Sequence, residues 1–430
     1  MTGPLRILYL HQHYSAPAGS TATRAHAMAA GLAARGHDVT LACGRYDGAE
    51  TGLEGRFCLG RRQGRAPGPA GFGLMEFDIR CGNAQDRAGR LLAFGRYAAA
   101  ASGLALSRPW DLVVASSTPL TVAVPALAAN RLRGTPFVFE IRDPWPELPR
   151  AMGEAPGWAL AGMEVLADAA CRRAAAVIGL TEGMADTARA RGTDPSRLHV
   201  VPNGCDLDLF GPHRAPWRPD CAAPWECLAV YAGAHGRANG LDALLDAAAE
   251  LHLAGERRLR ILLVGEGAEK PRLIAEAARR GLHNVSFLDP LPKPRLASLL
   301  AGAQVALHCL APVPEFAEWT APNKLMDGLA AGLPVVTNLA GRAARIVAEG
   351  PSGIATPPGD ARALAEALAH LAARPGLRAA MGAAARAQAQ RRWDRRLQVR
   401  LFCAVAVAAK RGAHRRQSWM DRSSNDIPDR

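Results

Sequence analysis

The feature that most constrains the fold is an alternation of short apolar strands with helices, which recurs along most of the chain. It begins with an apolar run at 5–10, an alanine-rich helical stretch at 25–35 and a second apolar run at 38–43. The same order returns at 111–201 and at 227–338. Strands joined by helices predict parallel sheets covered by helices on both faces. We therefore expect an α/β fold of doubly wound, Rossmann-like sheets.

The length of the chain and a proline-rich interruption indicate two domains. The chain has 430 residues, 49% of them hydrophobic, which is more than one ordinary core organises. Five prolines interrupt the alternation at 202–224, a composition typical of a linker. The predicted parts are a Rossmann-like domain at 1–205, a linker at 206–225, a second Rossmann-like domain at 226–390, a helix at 391–412 long enough to return to the first domain, and a basic disordered tail at 413–430.

Composition narrows the classes of partner. The net charge of +13 favours an acidic partner, but no stretch interleaves basic and aromatic residues as a nucleic-acid platform would. Nucleic acid is therefore not expected. The nine cysteines lack the spacing of zinc or redox motifs, and neither an apolar run of about 18 residues nor a cleavable leader occurs. We expect a cytoplasmic protein with reduced thiols.

Two glycine-rich loops follow strands in the second half, and ligands of open parallel sheets bind outside the carboxyl ends of the strands. One loop reads Gly-Ala-His-Gly-Arg-Ala-Asn-Gly at 233–240, and the other reads Gly-Glu-Gly-Ala-Glu-Lys at 265–270. Glycine lets a backbone approach an anion, and a following helix presents free N–H groups to it. Lys270 is placed to reach a diphosphate. Ordinary turns and a solvated lysine are the alternatives.

The most specific pattern is Pro-Asn-Lys-Leu-Met-Asp-Gly-Leu-Ala-Ala-Gly-Leu-Pro at 322–334. Asn323 is typical of a helix cap, and Lys324 and Asp327 are three residues apart, so they share one face at the helix N-terminus. This arrangement suits a nucleoside diphosphate, with the ammonium near a phosphate and the carboxylate accepting hydrogen bonds from ribose hydroxyls. A surface ion pair is the alternative, which the adjoining apolar residues disfavour.

A strand of the first half ends in three carboxylates, an arginine and a tryptophan. These residues are Glu140, Arg142, Asp143, Trp145 and Glu147. At the carboxyl end of a strand they predict a wall for a hydroxyl acceptor, where a carboxylate takes a proton. A rigid Pro-Trp-Pro corner with solvated charges is the alternative.

A metal site is not expected. Asp206 and Asp208 have a spacing that can hold a cation beside a diphosphate, but they follow Pro202 in the proline-rich stretch, which favours a hinge turn. No other metal-ligand pattern occurs in the sequence. We therefore expect neither metal nor cofactor, and a leaving diphosphate neutralised by helix ends and cations.

Taken in order, these segments resemble family 4 glycosyltransferases of the GT-B fold, particularly the bacterial surface-polysaccharide branch that includes N-acetylfucosaminyl transferases. The resemblance covers about 5–395, and the segments that carry it are 7–12, 19–24, 137–147, 201–206, 239–242, 287–290 and 322–334. It implies two Rossmann-like domains facing a cleft, the first on the acceptor side and the second binding the nucleotide-sugar. It also implies retention of anomeric configuration without a divalent metal.

The resemblance implies a set of site residues. Catalytic roles fall to Arg142, Asp143 and Asp327. Donor contacts fall to Gly19, Ser20, Thr21, Asn323, Lys324, Leu325 and Asp327, and the acceptor side to Arg24, Glu140, Trp145 and Glu147. The chain departs from the family pattern at two places. Trp319 stands where the family has the first acid of its Glu-x7-Glu pair, and Ala234 and Asn239 stand where the family has an arginine and a lysine in the first glycine loop. We therefore predict that the donor phosphates contact His235, Arg237 and Lys270, and that Gly267 is a further donor contact.

The predicted reaction is transfer of a sugar from a nucleoside-diphosphate sugar to a hydroxyl of a lipid-linked or oligosaccharide acceptor. The expected donor is a UDP-sugar. A nucleotide-sugar epimerase of the same architecture is the alternative, since it needs no acceptor. A dehydrogenase is disfavoured because no Gly-x-Gly-x-x-Gly follows the first strand. A binding protein without turnover is the non-enzymatic alternative.

A basic amphipathic helix predicts a second contact, with an anionic membrane surface. Three arginines are interspersed with four large apolar residues, namely Arg87, Arg90 and Arg96 with Leu91, Leu92, Phe94 and Tyr97. Packing of the same apolar residues into the core is the alternative. The membrane contact would make the protein peripheral on the inner face of the membrane.

Overall fold

The computed structural model describes residues 3–425, apart from 18, 20–22, 47–48, 50, 52–62, 68–70, 83–84, 154 and 322, and gives the backbone alone at 63–67, 87 and 413–425. The chain divides into two compact units. The first comprises Met1–Ala16, Thr21–Pro202 and Val399–Arg430, and the second comprises Pro17–Ser20 and Asn203–Gln398. Within the described ranges, no helix combines the length and apolarity needed to cross a bilayer.

The first unit is built on an eight-stranded sheet. Its strands are β1 (Arg6–Leu10), β2 (Asp38–Tyr46), β3 (Gln63–Pro67), β4 (Gly73–Cys81), β5 (Leu112–Ser116), β6 (Phe137–Ile141), β7 (Ala176–Gly179) and β8 (Leu198–Val200). The order is β3-β4-β2-β1-β5-β6-β7-β8, and neighbouring strands are parallel except β3 and β4. Every residue of β5 and β6 is buried, as expected for central parallel strands covered on both faces.

Seven helices belong to the first unit or enter it. They are α1 (Arg24–Ala33), α2 (Arg87–Ser107), α3 (Ala123–Arg133), α4 (Glu147–Ala151), α5 (Gly157–Arg173), α6 (Glu182–Ala190) and, at the end of the chain, α15 (Arg395–Asn425). From Val399 onward α15 is part of the first unit, and Phe402 lies in its core. A Cβ at Gly31 would lie 2.2 Å from Cγ1 of Val399, so glycine allows α1 and α15 to pack closely. The helix runs beyond residue 412, where the sequence predicted its end and the start of a disordered tail.

The second unit is built on a six-stranded, wholly parallel sheet. Its strands are β9 (Cys227–Ala232), β10 (Leu259–Val264), β11 (Val285–Leu288), β12 (Val305–His308), β13 (Val335–Thr337) and β14 (Gly353–Ala355). Their order is β11-β10-β9-β12-β13-β14. The helices are α7 (Asp242–Leu253), α8 (Lys270–Arg279), α9 (Lys293–Gly302), α10 (Phe316–Trp319), α11 (Asn323–Ala331), α12 (Arg342–Glu349), α13 (Ala361–Ala372) and α14 (Pro375–Gln388).

The division between the units lies at Pro202, a few residues before the predicted linker. The predicted linker at 206–225 is part of the second unit, because its polar groups bond to that unit. The Trp217 amide donates to the Ser298 carbonyl at 2.8 Å, and the Arg295 guanidinium lies 3.6 Å from the centroid of the Trp217 ring. Proline richness marked an irregular segment correctly, but its packing could not be inferred from composition.

Candidate active site

The two glycine loops of the second unit stack backbone against backbone at the carboxyl ends of β9 and β10. The His235 amide donates to the Glu266 carbonyl at 2.8 Å, and the Glu269 amide donates to the His235 carbonyl at 2.9 Å. Gly265 and Gly267 have φ values of 149° and 157°. A Cβ at Gly265 would lie 1.9 Å from the Gly233 carbonyl oxygen, and one at Gly267 would lie 2.4 Å from the His235 carbonyl oxygen. Only glycine permits this approach, so the loops present a surface of main chain.

Lys324 of α11 lies directly on the first of these loops. Its Nζ donates to Asn239 Oδ1 at 2.6 Å and lies 4.7 Å from the centroid of the Tyr231 ring. The Tyr231 hydroxyl donates to the same Asn239 oxygen at 2.8 Å. A Cβ at Gly233 would lie 1.9 Å from Lys324 Cε, so the lysine stem needs the space of that glycine.

The charge of Lys324 is not neutralised by a carboxylate in the described part of the chain. Burial lowers the pKa of Lys324 to about 8, since removing an ammonium from water disfavours its charged form. The ammonium is therefore mostly charged at neutral pH, while its described polar contact is the oxygen of a neutral amide. Such a cation favours an anionic ligand at this loop.

Lys270, predicted to bind the phosphates, is already paired. Its Nζ donates to Asp289 Oδ1 at 2.6 Å and to Glu266 Oε2 at 3.1 Å. Burial lowers the pKa of Lys270, but its bonds to Asp289 and Glu266 outweigh this, and the pKa is raised. Two carboxylates from its own unit thus pair with this ammonium, and its contact with the donor phosphates stays a prediction.

His235 and Arg237, the other predicted phosphate contacts, differ from each other. His235 is fully buried near the rings of Tyr231 and Phe287, and neither ring nitrogen has a hydrogen-bond partner among the described residues. Burial, together with Lys270, lowers the pKa of His235 to about 4. A neutral, enclosed imidazole cannot act as the predicted phosphate cation. Arg237 is exposed on the same loop, so its guanidinium stays available.

Asp327 lies on the buried face of α11. The residue is only 8% exposed, and its carboxylate oxygen Oδ2 lies 3.9 Å from Lys293 Nζ. Burial raises the pKa of Asp327, while Lys293 and Arg395 oppose the rise. The Leu325 side chain is wholly buried in the core, so the predicted donor contact of this residue falls to its main-chain N–H in the first turn of α11. Asn323 is the first residue of α11.

The first unit has its own polar cluster where β1, β5 and β6 end side by side. His11 Nδ1 lies 3.1 Å from the Ser116 carbonyl, so that nitrogen carries the proton and donates. His11 Nε2 then accepts from Arg142 Nη1 at 2.6 Å. Burial, with the Arg142 charge, holds the pKa of His11 well below its usual value. His11 is a residue that the site prediction missed; its position directly after β1 was the available signal.

The predicted catalytic pair Arg142 and Asp143 lies in this cluster. The Arg142 amide donates to Ser117 Oγ at 3.1 Å, and Thr118 Oγ1 donates to Asp143 Oδ2 at 2.5 Å. The loop after β5 therefore fixes both the backbone of Arg142 and the carboxylate of Asp143. Trp145 contributes to a small cavity that Asp143 also lines, and its indole N–H has no partner among the described residues.

Three predicted acceptor-side residues form ion pairs within the first unit. Arg24 and Glu140 are 1% and 0% exposed and form a buried ion pair in which Arg24 Nε and Nη2 donate to Glu140 Oε1 at 3.0 Å and 2.9 Å. Ser116 Oγ donates to the other Glu140 oxygen at 2.6 Å. Glu147 accepts two bonds from Arg191. Arg24 and Glu140 thus satisfy each other, whereas the buried Oε2 of Glu147 has no hydrogen-bond partner among the described residues, and the predicted acceptor contacts stay predictions.

The glycine segment near the N-terminus is only partly described. Gly19 belongs to the segment Pro17–Ser20, which groups with the second unit. Ser20 and Thr21, two of the predicted donor contacts, lie outside the described residues, as does Pro322. Among the described residues no three His, Cys, Asp or Glu side chains come together as a metal-ligand group.

Comparisons with known proteins identify the family. Residues 19–204 match the family model described as glycosyl transferase 4-like domain, and residues 226–374 match that of glycosyl transferases group 1. The D-inositol 3-phosphate glycosyltransferase of Nocardia farcinica is 33% identical over 172 residues, 38% of this chain and 37% of that protein. The chain thus matches less than half of this relative's length.

Solved structures share the fold along nearly the whole chain. Sucrose-phosphate synthase from Thermosynechococcus elongatus aligns with a TM-score of 0.69 at 19% identity, covering 98% of this chain and 100% of that one. Anabaena HepE in complex with UDP-glucose aligns with a TM-score of 0.66 at 18% identity, covering 94% and 100%. The expected GT-B fold is confirmed, and the epimerase alternative gains no support. With both halves matched in order, the chain belongs to the family 4 glycosyltransferases.

Proposed function

We propose that the chain transfers a sugar from a UDP-sugar to a hydroxyl acceptor in the synthesis of a polysaccharide or glycoconjugate. The observation that carries the proposal is Lys324, whose ammonium lies on the first glycine loop without a carboxylate partner in the described chain. A diphosphate supplies the charge that this site lacks. The N–H groups at the start of α11 and the exposed guanidinium of Arg237 add to the attraction.

The reaction would proceed without a metal or cofactor. The bond between the sugar C1 and the diphosphate oxygen breaks, and its electron pair leaves with the diphosphate, where Lys324 and the N-terminus of α11 stabilise the charge. The acceptor hydroxyl oxygen forms the new bond to C1, and its proton passes to the departing diphosphate oxygen. Arg142 and Asp143 are the candidates for contacting the reacting groups, and retention of configuration follows from the family resemblance.

The comparisons support uridine as the base and leave the acceptor open. HepE was solved with UDP-glucose, and the Nocardia relative is named for an inositol phosphate acceptor. For this chain we propose a lipid-linked or oligosaccharide acceptor.

A donor screen tests the proposed activity. We expect UDP-sugars to raise the melting temperature of the full chain more than GDP- or dTDP-sugars, since a ligand at 100 times its Kd stabilises the folded state by about 2.7 kcal/mol. Release of UDP should then require an acceptor. Failure of all three donors to stabilise the protein at millimolar concentration would contradict the proposal, and conversion of the donor without UDP release would identify an epimerase instead.

We also propose that one face of the first unit binds an anionic membrane surface. Leu91 and Leu92 of α2 are 53% and 63% exposed between the exposed arginines Arg90 and Arg96, whereas Phe94 and Tyr97 of the predicted helix are buried. Six of the ten large apolar side chains exposed in the described chain lie on α2, α3 and α5, namely Leu91, Leu92, Val124, Leu132, Trp158 and Val165. Helix α3 packs against both α2 and α5. Apolar anchors among arginines suit anionic lipid.

Vesicle binding tests the membrane contact. The double variant Leu91→Ser/Leu92→Ser should lower partitioning onto phosphatidylglycerol-containing vesicles roughly tenfold, because two apolar side chains no longer enter the lipid. Leu253→Ser is the matched control, since Leu253 is 80% exposed on α7 of the second unit. Equal binding by the two variants, or binding that does not depend on anionic lipid, would count against the contact.

A further inference from the structure

Lys293 is a buried lysine that is not among the predicted donor contacts. The chain has four lysines, and three of them, Lys270, Lys293 and Lys324, belong to loops or helix starts at the carboxyl ends of second-unit strands. Lys293 begins α9 after β11 and is only 7% exposed. Its Nζ lies 3.9 Å from Asp327 Oδ2 and 5.7 Å from the centroid of the buried Phe210 ring.

The Asp327 carboxylate has acceptor capacity that its surroundings do not use. The residue is only 8% exposed, and no hydrogen bond from the described residues reaches either carboxylate oxygen, although both oxygens keep some contact with solvent. Lys293 at 3.9 Å is close enough to attract the charge but too far to occupy a lone pair.

The charges around Asp327 leave Lys293 as its closest cation. Burial raises the pKa of Asp327, Lys293 and Arg395 lower it, and Asp206 raises it. Arg395 is engaged elsewhere, because its Nε donates to Asp206 Oδ1 at 2.5 Å. Among the described residues, only Lys293 lies within ion-pair distance of Asp327.

We propose that Lys293 is a positioning residue that keeps Asp327 ionised, so that both carboxylate oxygens accept hydrogen bonds from the ribose hydroxyls of the donor. The inference rests on the proposed donor site. A protonated Asp327 would lose acceptor capacity and would place a proton against one hydroxyl. The ammonium of Lys293 acts through Asp327 and makes no contact with the sugar or the phosphates.

The test compares the pH dependence of UDP binding by calorimetry in the unmodified chain, Lys293→Met and Lys293→Arg. Removing the cation raises the pKa of Asp327, and a carboxylate is ionised only above its pKa, so the acidic limb of UDP affinity should move to higher pH. We expect a shift of about one pH unit, hence roughly tenfold weaker binding at pH values below both pKa values of Asp327 and little loss well above them. Titration of UDP itself is common to all three proteins, and Lys293→Arg should restore the original limb.

A ligand without the hydroxyls separates positioning from general destabilisation. The preference for UDP over 2′,3′-dideoxy-UDP should shrink in Lys293→Met at the same acidic pH, whereas a merely structural role would weaken both ligands equally. An unchanged acidic limb with intact UDP binding overturns the role of Lys293 alone. Absence of UDP binding by the unmodified chain overturns the proposed function as well. Should Lys293→Met fail to fold, UDP affinity of Asp327→Asn must follow the same acidic limb as affinity for 2′,3′-dideoxy-UDP, which keeps the titrating diphosphate. A steeper limb for UDP than for the dideoxy ligand in that variant overturns the inference.

Discussion

Replacing Lys324 with methionine is expected to weaken UDP binding about 100-fold. Methionine keeps an unbranched stem on Gly233 but removes the ammonium, which lies on the glycine loop without a carboxylate partner in the described chain. A hydrogen bond to a charged group contributes about 1.5–3 kcal/mol, and each 1.4 kcal/mol is tenfold in affinity. Isothermal titration with UDP measures the loss directly, and turnover should fall with it because the same contact stabilises the leaving diphosphate.

Lys270→Met is the matched control for this prediction. Lys270 lies on the neighbouring glycine loop but already donates to Asp289 and Glu266. Its removal should change UDP affinity by no more than about threefold, since a neutralised cation offers little net attraction. Equal losses in the two variants would mean that the loops, and not the free ammonium, determine binding.

We expect Lys324 to make UDP affinity decrease at alkaline pH. The pKa of Lys324 is about 8, so the ammonium is increasingly neutral above that pH and its attraction for the diphosphate fades. Affinity should therefore fall as pH rises above about 8, with uptake of one proton on binding. Lys324→Met should lack this decrease. A wild-type affinity that stays constant to pH 9.5 would show that the lysine is not a phosphate contact.

Replacing Arg24 with methionine is expected to lower the free energy of unfolding by about 3–5 kcal/mol, the usual cost of removing one partner of a buried ion pair. The change leaves the Glu140 carboxylate 0% exposed with the Ser116 hydroxyl as its remaining hydrogen-bond donor. It also leaves the Val201 and Pro202 carbonyls, which Arg24 contacts at 2.9 Å and 2.6 Å, without that donor. Urea unfolding followed by tryptophan fluorescence measures the loss.

Arg6→Met is the control for the buried pair. Arg6 also pairs with a carboxylate, Asp111, at 3.1 Å, but its side chain is 45% exposed. Its removal should cost less than about 1 kcal/mol, because water solvates both charges. If Arg24→Met were as mild as Arg6→Met and instead raised the KM for the acceptor, Arg24 would return to the acceptor site.

The sequence determined the α/β class and most elements of the second unit. Strand β9 begins at Cys227, where the alternation was predicted to return, since an apolar run between polar residues and a glycine leaves little choice. Local sequence also accounts for the N-cap at Thr181, whose hydroxyl accepts from the Met184 amide at 3.0 Å. Strand β4 was missed: its residues alternate between buried and part-exposed or exposed positions, a pattern less distinct than a continuous apolar run.

Only part of the candidate site could be predicted from the sequence. Local pattern placed Lys324, the glycine loops and Arg142 at strand or helix ends, because these positions follow from period and spacing along the chain. It could not show that Lys270 pairs with Asp289, that His235 is enclosed and neutral, or that Lys293 faces Asp327. Those facts depend on distances between segments far apart in the chain. Charge and hydrogen-bonding capacity are set by which groups the tertiary structure brings within a few ångströms, and only the fold decides that.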